Sequence, residues 1–539
     1  MEKKLETYEI KRKHIFSYIF LIIIGGLVVR FYFFPYDLPI TFDGSTYFSY
    51  AIDTMILGQF PSSTESYTSP LANNGWPVIL SSIFSIFNFD TALEFMNVQR
   101  HVSICFSVLT AIPVYLLSRK FFGEKLSILC AVFVVFEPRI IQNSVIGVTE
   151  PIFIFLTMTS LAFFLSENKK LVYISFWIIG LTSMIRYEGL ILLIPFTIMF
   201  FVRYRKEGGK NILKYFFIIG ILFLIILPMA YARYDATGND GFTTVFNGPK
   251  YLVKTSSNPE YSDHKTYSEF IFDGVFNLSK YFGWSLIPSF LIFIPLGLIL
   301  FFKNLDFKKT TIIITSIFLL MPAFYAYSRD FQEIRYLFVI YPILSIVSIF
   351  AINFILKKIM KPRSIIFIIV GSIVISSVIF VDYQIIDYEH EREALEISRY
   401  IFENTDFVND YYPQLDKLVY LKYEYNEFPI LSYDPQILKG KVVHITDENL
   451  VLNKDTVEAI PRLKASSVIE YIDVARNYGL THIVTDGNNA RPDILNDIFK
   501  NENKYPFAIK EFDSLEYDFN YHVKIFKINY EVFDKELRK

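Results

Sequence analysis

Apolar runs of roughly 14 to 22 residues recur over the first 381 positions. They lie at 15 to 34, 98 to 117, 126 to 145, 151 to 166, 171 to 185, 189 to 202, 212 to 231, 284 to 302, 310 to 328, 335 to 356 and 364 to 381. A helix of about 20 such residues crosses the hydrocarbon of a bilayer, so the pattern predicts about eleven transmembrane helices. Lys and Arg gather in alternate gaps: Lys3 to Lys13, Arg119 to Lys125, Lys169 and Lys170, Arg203 to Lys214, Lys303 to Lys309, and Lys357 to Arg363. The positive-inside rule then puts the N-terminus in the cytoplasm and everything after the last span outside. The same rule settles two uncertain stretches. Trp76 to Phe87 is too short to span and reads as a juxtamembrane helix within a long first external loop, 35–97. Residues 171 to 202 read as a hairpin of two short helices broken at Arg186-Tyr187-Glu188-Gly189, which keeps Arg203 to Lys214 inside. A second long external loop is expected over 232–283.

After Val381 the pattern changes to charged residues mixed with short alternating stretches, such as Lys441-Val442-Val443-His444-Ile445 and His482-Ile483-Val484-Thr485. Helical patterns at 391 to 403 and 466 to 478 and strand-like stretches at 505 to 512 and 521 to 529 predict a mixed α/β domain. The expected fold class is therefore a polytopic α-helical membrane protein, with a membrane domain over 1–381 and a soluble extracytoplasmic α/β domain over 382–539. At 53% hydrophobic and 18% aromatic residues, the composition agrees with life in a bilayer. The formal net charge of -2 comes without a basic face, which argues against a nucleic-acid partner. Cys105 and Cys130 both lie inside apolar runs, which excludes a disulfide framework. Lys11, Arg12 and Lys13 precede the first run and no small-residue cleavage site follows it, so it reads as an uncleaved span. With Asn277-Leu278-Ser279 as the one external sequon, a prokaryotic cell membrane is the expected location.

Within this topology the sharpest candidates for chemistry all fall on one face of the membrane. Asp43 and Asp53 lie in the first external loop. Arg100 and His101 begin the second span, Glu150 opens the fourth in Thr149-Glu150-Pro151, Arg186 and Glu188 break the hairpin, and Arg335 begins the tenth beside Tyr336. Membrane-depth charges are costly and mark functional sites. Each has a structural reading too. Asp43-Gly44 is a turn dipeptide, Glu150 before Pro151 suits a helix first turn, Arg100 and Arg335 are placed to snorkel, and Arg186 with Glu188 reads as a buried ion pair. Asp53 belongs to an amphipathic turn, and His101 has no second metal ligand near it in sequence. No phosphate loop and no Asp-x-Asp motif is present, which disfavours a cytosolic nucleotide-sugar enzyme.

Taken in order, Asp43 after the first span, the segment from Pro70 to Phe87, Arg100, Thr149-Glu150-Pro151, and Arg335-Tyr336-Leu337 with Pro342 resemble the GT-C superfamily of membrane glycosyltransferases. The likeness covers roughly the first 350 residues and is greatest to its protein O-mannosyltransferase and aminoarabinose-transferase branch. The chain departs from the protein mannosyltransferases in having Gly44, not Glu, after Asp43. It also lacks the Trp-Trp-Asp motif of the oligosaccharyltransferases in its C-terminal part. The resemblance implies inverting transfer of a sugar, such as mannose, from a polyprenyl or dolichyl phosphate to a protein, glycan or lipid acceptor on the outer side. It implies Asp43 as base, Glu150 as its catalytic companion, and Arg335, Arg100 and Tyr336 around the donor phosphate. No cofactor is implied, and a divalent metal shared by Asp43 and Glu150 is not favoured. Two other readings compete: a flippase for lipid-linked sugars, and a non-catalytic relative that keeps the fold. Convergence of Asp43, Glu150 and Arg335 on one cavity open to both lipid and exterior would favour the enzyme.

Overall fold

A computed structural model of the chain describes residues 12–40, 43–60, 74–87, 92–243, 267–358, 362–384, 430–433, 445–446, 449–450, 466–476, 480–486 and 493–538, apart from 330, 332 and 521, together with 89, 393 and 396. The chain divides into two compact units, each discontinuous in sequence. Met1–Pro35, Pro70–Ser82 and Gln99–Gln384 form one; Tyr36–Ser69, Ile83–Val98 and Ile385–Lys539 form the other. Tyr36–Ser69 and Ile83–Val98, which belong to the expected first external loop up to its end at 97, thus group with the residues from Ile385 onward.

Among the described residues seven helical stretches are long and apolar enough to cross a bilayer: His14–Tyr32, Leu93–Ser118, Tyr187–Glu207, Lys210–Thr237, Phe307–Ser328, Ile334–Lys357 and Ser364–Tyr383. Glu124–Val135 and Pro138–Ser144, bent by 53° at Phe136-Glu137, make an eighth when taken together. The remaining apolar runs form shorter helices: Glu150–Phe164 with 15 residues, Lys169–Ile185 with 17 and Ile294–Phe302 with 9. Large side chains stand bare along the long helices, with Phe16 72%, Phe217 70% and Phe367 77% exposed. In water such surface would collapse or aggregate, whereas in lipid it is already solvated. The protein is a polytopic helical membrane protein.

The stretch 232–283 contains helix at both ends: the Lys210 helix runs on to Thr237, where Gly238 (φ 71°) ends it in the left-handed conformation. A further helix occupies Tyr267–Ser285. That helix is turned inside out for a soluble protein. Gly274 and Asn277 are buried, while Ile271, Phe272, Val275 and Phe276 are each more than half exposed. Asn277 donates to the Tyr327 carbonyl at 3.2 Å. The run 284–302 is correspondingly broken, with helix ending at Ser285 and resuming at Ile294.

Without a hydrophobic drive between helices in lipid, small and polar residues hold them together. Ser160 donates to the Ser175 carbonyl at 2.9 Å, joining the Glu150–Phe164 and Lys169–Ile185 helices, and Cys130 Sγ lies 3.0 Å from Ser345 Oγ. Arg30 of the first helix is fully buried. Its guanidinium donates to Ser107 Oγ (2.8 Å), Ser144 Oγ (3.0 Å) and the carbonyls of Val135 (3.0 Å) and Gly26 (3.1 Å).

In the second unit, Ile430–Tyr433, Leu480–Asp486, Val523–Ile528 and Ala508–Asp513 lie in that spatial order as an antiparallel sheet, with Ile483 opposite Phe526 and Lys510 opposite Phe526. Alternation along Val523–Ile528 sends Phe526 and Ile528 to the core face, while Val523 and Ile525 are buried on the other face of the sheet. Helices Val468–Arg476, Asp493–Lys500 and Tyr530–Leu537 cover one face, closing a core that includes Ile472, Ile483, Ile498, Phe507, Phe526 and Phe533. Of the expected helix over 391 to 403 only 393 and 396 lie within the described residues, and of the stretch 441 to 445 only Ile445.

Candidate active site

The site grows from the break between two helices. The Lys169–Ile185 helix stops because Arg186 is extended (φ -142°, ψ 125°), and the chain restarts as a 3-10 turn over Tyr187–Leu192. Gly189 allows this. A Cβ at that position would stand 2.7 Å from the Ser183 nitrogen and 2.8 Å from the Thr182 carbonyl carbon, closer than any side chain tolerates. The break therefore folds back against its own helix end and projects Arg186 and Glu188 sideways.

Opposite them begins the Glu150–Phe164 helix, with Pro151 in its first turn. Thr149 precedes it without a side-chain capping bond. Its hydroxyl instead accepts from Arg186 Nη1 at 3.2 Å, and Glu150 Oε1 accepts from the same nitrogen at 2.8 Å. Arg186 Nη2 donates to Glu188 Oε1 at 3.1 Å. One guanidinium thus bridges two carboxylates, with its carbon 5.7 Å from the centre of the Phe153 ring. The second oxygens, Glu150 Oε2 and Glu188 Oε2, are buried and accept no hydrogen bond.

A cleft with about 470 Å³ of unfilled space, open solvent included, lies against this cluster. Arg335 and Tyr336 line another side, carried by the 3-10 turn Ile334–Ile340 that leads into the Pro342 helix. Arg335 pairs with Glu333 and packs 5.9 Å from the Tyr336 ring centre. The rest of the wall is apolar: Phe153, Ile154, Phe318, Leu319, Pro322 and Val339. Pro322 sits inside the Phe307–Ser328 helix. Sequence reasoning missed this wall, although a proline in mid-helix was the signal that pointed to it.

Five of the residues singled out from sequence, Glu150, Arg186, Glu188, Arg335 and Tyr336, therefore share one cavity. Arg100 and His101 do not line it. Their helix begins at Ala92, so they lie well inside it and not at its mouth. Arg100 is 3% exposed and donates to the carbonyls of Val145 and Pro35, each at 3.1 Å. His101 packs among Phe31 and Phe34, with ring centroids 5.4 and 4.8 Å away. Asp43 and Asp53 belong to the second unit, on the Asp43–Leu57 helix. Asp43 is exposed in its first turn, where the helix dipole favours an acid. Among the described residues no group of three or more His, Cys, Asp or Glu side chains is arranged to hold a metal. The cation that faces Glu150 and Glu188 is Arg186.

Comparison with known proteins defines the class of fold. Residues 77–231 match the family described as dolichyl-phosphate-mannose-protein mannosyltransferase. The apo oligosaccharyltransferase of Archaeoglobus fulgidus is similar with a TM-score of 0.53 and 12% identity, over 88% of this chain and 70% of that one. ArnT from Cupriavidus metallidurans bound to undecaprenyl phosphate is similar with a TM-score of 0.54 and 11% identity, over 75% of this chain and 85% of that one. Against the Archaeoglobus enzyme in complex with Zn and sulfate (TM-score 0.47, 14% identity), the chain spans little more than half of that protein's length, 55%. No curated protein sequence matches the chain. The resemblance to GT-C superfamily membrane glycosyltransferases is thus met at the level of the fold.

Proposed function

We propose that the chain is an integral-membrane, inverting glycosyltransferase that moves a sugar, a hexose such as mannose, from a polyprenyl or dolichyl phosphate to an acceptor on the extracytoplasmic side. The observation that carries this reading is the division of one cavity into an arginine side, a carboxylate side and an apolar side. A lipid-phosphate sugar has the matching parts: an anionic phosphate, a polyhydroxylated ring and a hydrocarbon chain. Glu333 is more than half exposed, so a donor phosphate can take its place on Arg335 at little desolvation cost.

In the reaction, the acceptor oxygen forms a bond to the anomeric carbon from the face opposite the phosphate, and the bond from that carbon to the phosphate oxygen breaks. The sugar carbon inverts, and the electron pair leaves with the polyprenyl phosphate. Arg335 offers charge-assisted hydrogen bonds to the oxygen on which that charge grows, beside Tyr336. The acceptor proton must go to a carboxylate, and Asp43 is assigned this role, with Glu150 as its catalytic companion. A nucleotide sugar cannot reach an outward-facing site, whereas a lipid-borne donor arrives through the bilayer.

The test is transfer by purified protein in nanodiscs, with a panel of radiolabelled polyprenyl-phosphate monosaccharides and Asp43→Asn in parallel. Release of polyprenyl phosphate by the parent and not by the folded variant supports the reading and its base. Unchanged turnover in the variant removes Asp43 from the mechanism. No turnover with any donor shifts the reading to a lipid-linked-sugar flippase or a non-catalytic relative.

A further inference from the structure

The carboxylate side of the cavity holds more acceptor capacity than its own ion pairs use. Arg186 engages one oxygen of Glu150 and one of Glu188, through its two terminal nitrogens. The other oxygen of each is buried, without a hydrogen bond, on residues that line the cavity. Glu150 as a whole is only 7% exposed. A buried carboxylate oxygen that has left water and found no donor is destabilised, so the arrangement is complete only when donors arrive from the cavity. Both carboxylates are held by one planar guanidinium, each through its other oxygen.

A cation is a poor match for these acceptor oxygens, since Arg186 already stands between the two carboxylates and Arg335 lines the same cavity. A phosphate is repelled by them. Neutral hydroxyl groups fit: they donate to a carboxylate and bring no charge. We propose that Glu150 Oε2 and Glu188 Oε2 accept hydrogen bonds from two hydroxyls of the donor sugar. Glu188 is then a sugar-recognition residue and Arg186 the positioning residue that fixes the pair. This rests on the lipid-phosphate-sugar reading above and adds the part of the site that reads the sugar.

The experiment pairs a residue deletion with a hydroxyl deletion. Parent and Glu188→Gln are compared for kcat/KM with undecaprenyl-phosphate mannose and with its monodeoxy derivatives, alongside binding of undecaprenyl phosphate alone. In the parent, removing the hydroxyl that meets Glu188 lowers kcat/KM by about 10- to 100-fold, as expected for a hydrogen bond to a charged group. In Glu188→Gln the intact sugar already shows that loss, and the deoxy sugar adds little more. Bare undecaprenyl phosphate binds both proteins equally. Fully additive losses for every deoxy donor overturn the assignment of Glu188, as does equal weakening of bare phosphate binding. Should Glu188→Gln not fold, Glu188→Asp keeps the charge and draws the oxygen back, and the same loss of non-additivity is read from it. If the parent binds neither bare nor sugar-bearing lipid, the lipid-phosphate reading itself falls and takes this proposal with it.

Discussion

Arg186 and Glu150, 36 residues apart in sequence, meet at 2.8 Å, and the same guanidinium holds Glu188 at 3.1 Å. The side chains are between 10% and 15% exposed, so neither carboxylate has bulk water to fall back on. Removing the arginine leaves two buried negative charges together.

Arg186→Leu is expected to cost about 3–5 kcal/mol of stability, the range for breaking a buried pair on one side. Arg186→Lys keeps the charge but not the planar fork, so it should unfold closer to the parent yet still lose transfer. Thermal unfolding in detergent, read beside donor turnover, checks both. Equal melting of the leucine variant and the parent would show that the bridge is not a structural element.

Arg335 presents a different profile. Its partner Glu333 is more than half exposed, so the pair adds little to stability. Arg335→Ala is expected to melt with the parent and to lose about 10²- to 10³-fold in kcat, the scale for removing one donor to a developing anion. Single-turnover release of polyprenyl phosphate measures it; a variant that melts early but turns over normally contradicts the assignment.

Gly189 sets the position of both acidic groups through the backbone. Gly189→Ala forces a methyl into the Thr182–Ser183 backbone and is expected to cost about 1–3 kcal/mol, the usual penalty of overpacking. Because the displaced segment carries Arg186 and Glu188, turnover should fall by more than the fraction unfolded explains. Activity that simply follows the folded fraction would disconnect the break from the site.

In the second unit, the carboxyl of Asp497 is held down at about 2 by the Tyr505 hydroxyl first, then by Lys504 and Asn501. A folded value below the ordinary carboxylate value means that the stabilisation is complete above about pH 4 and fades as pH falls toward about 2. The difference in melting temperature between the parent chain and Asp497→Asn should therefore be constant at neutral pH and shrink across that acidic window. A difference that is flat with pH would assign the contribution of Asp497 to packing instead.

Much of this site was legible because it is made of local breaks. Thr149-Glu150-Pro151 and Arg186-Tyr187-Glu188-Gly189 interrupt apolar periodicity, and the structure has a helix start at the first and a helix end at the second. Their joining through Arg186 was not legible, because no periodicity encodes a contact 36 residues long. Arg100 sits elsewhere than at a span mouth for a related reason. Glu94, Asn97 and Gln99 look like a loop before the span, but they are helical, and Asn97 and Gln99 spend their polarity on the carbonyls of Tyr36 and Gly147. The Tyr267–Ser285 helix escaped notice because its buried face is glycine and asparagine while its apolar face looks outward, the reverse of the pattern that reveals a helix in water.

Arg30 gives the first span a place in biogenesis. An arginine in an isolated membrane helix is tolerated at the translocon for about 2.5–3.5 kcal/mol, and less near the helix end, where Arg30 lies. Three of its four acceptors, Ser107, Val135 and Ser144, belong to segments synthesised long after it. Until those segments enter the bilayer the guanidinium must stay near the headgroups. Its burial is complete only once those later segments are in place around it.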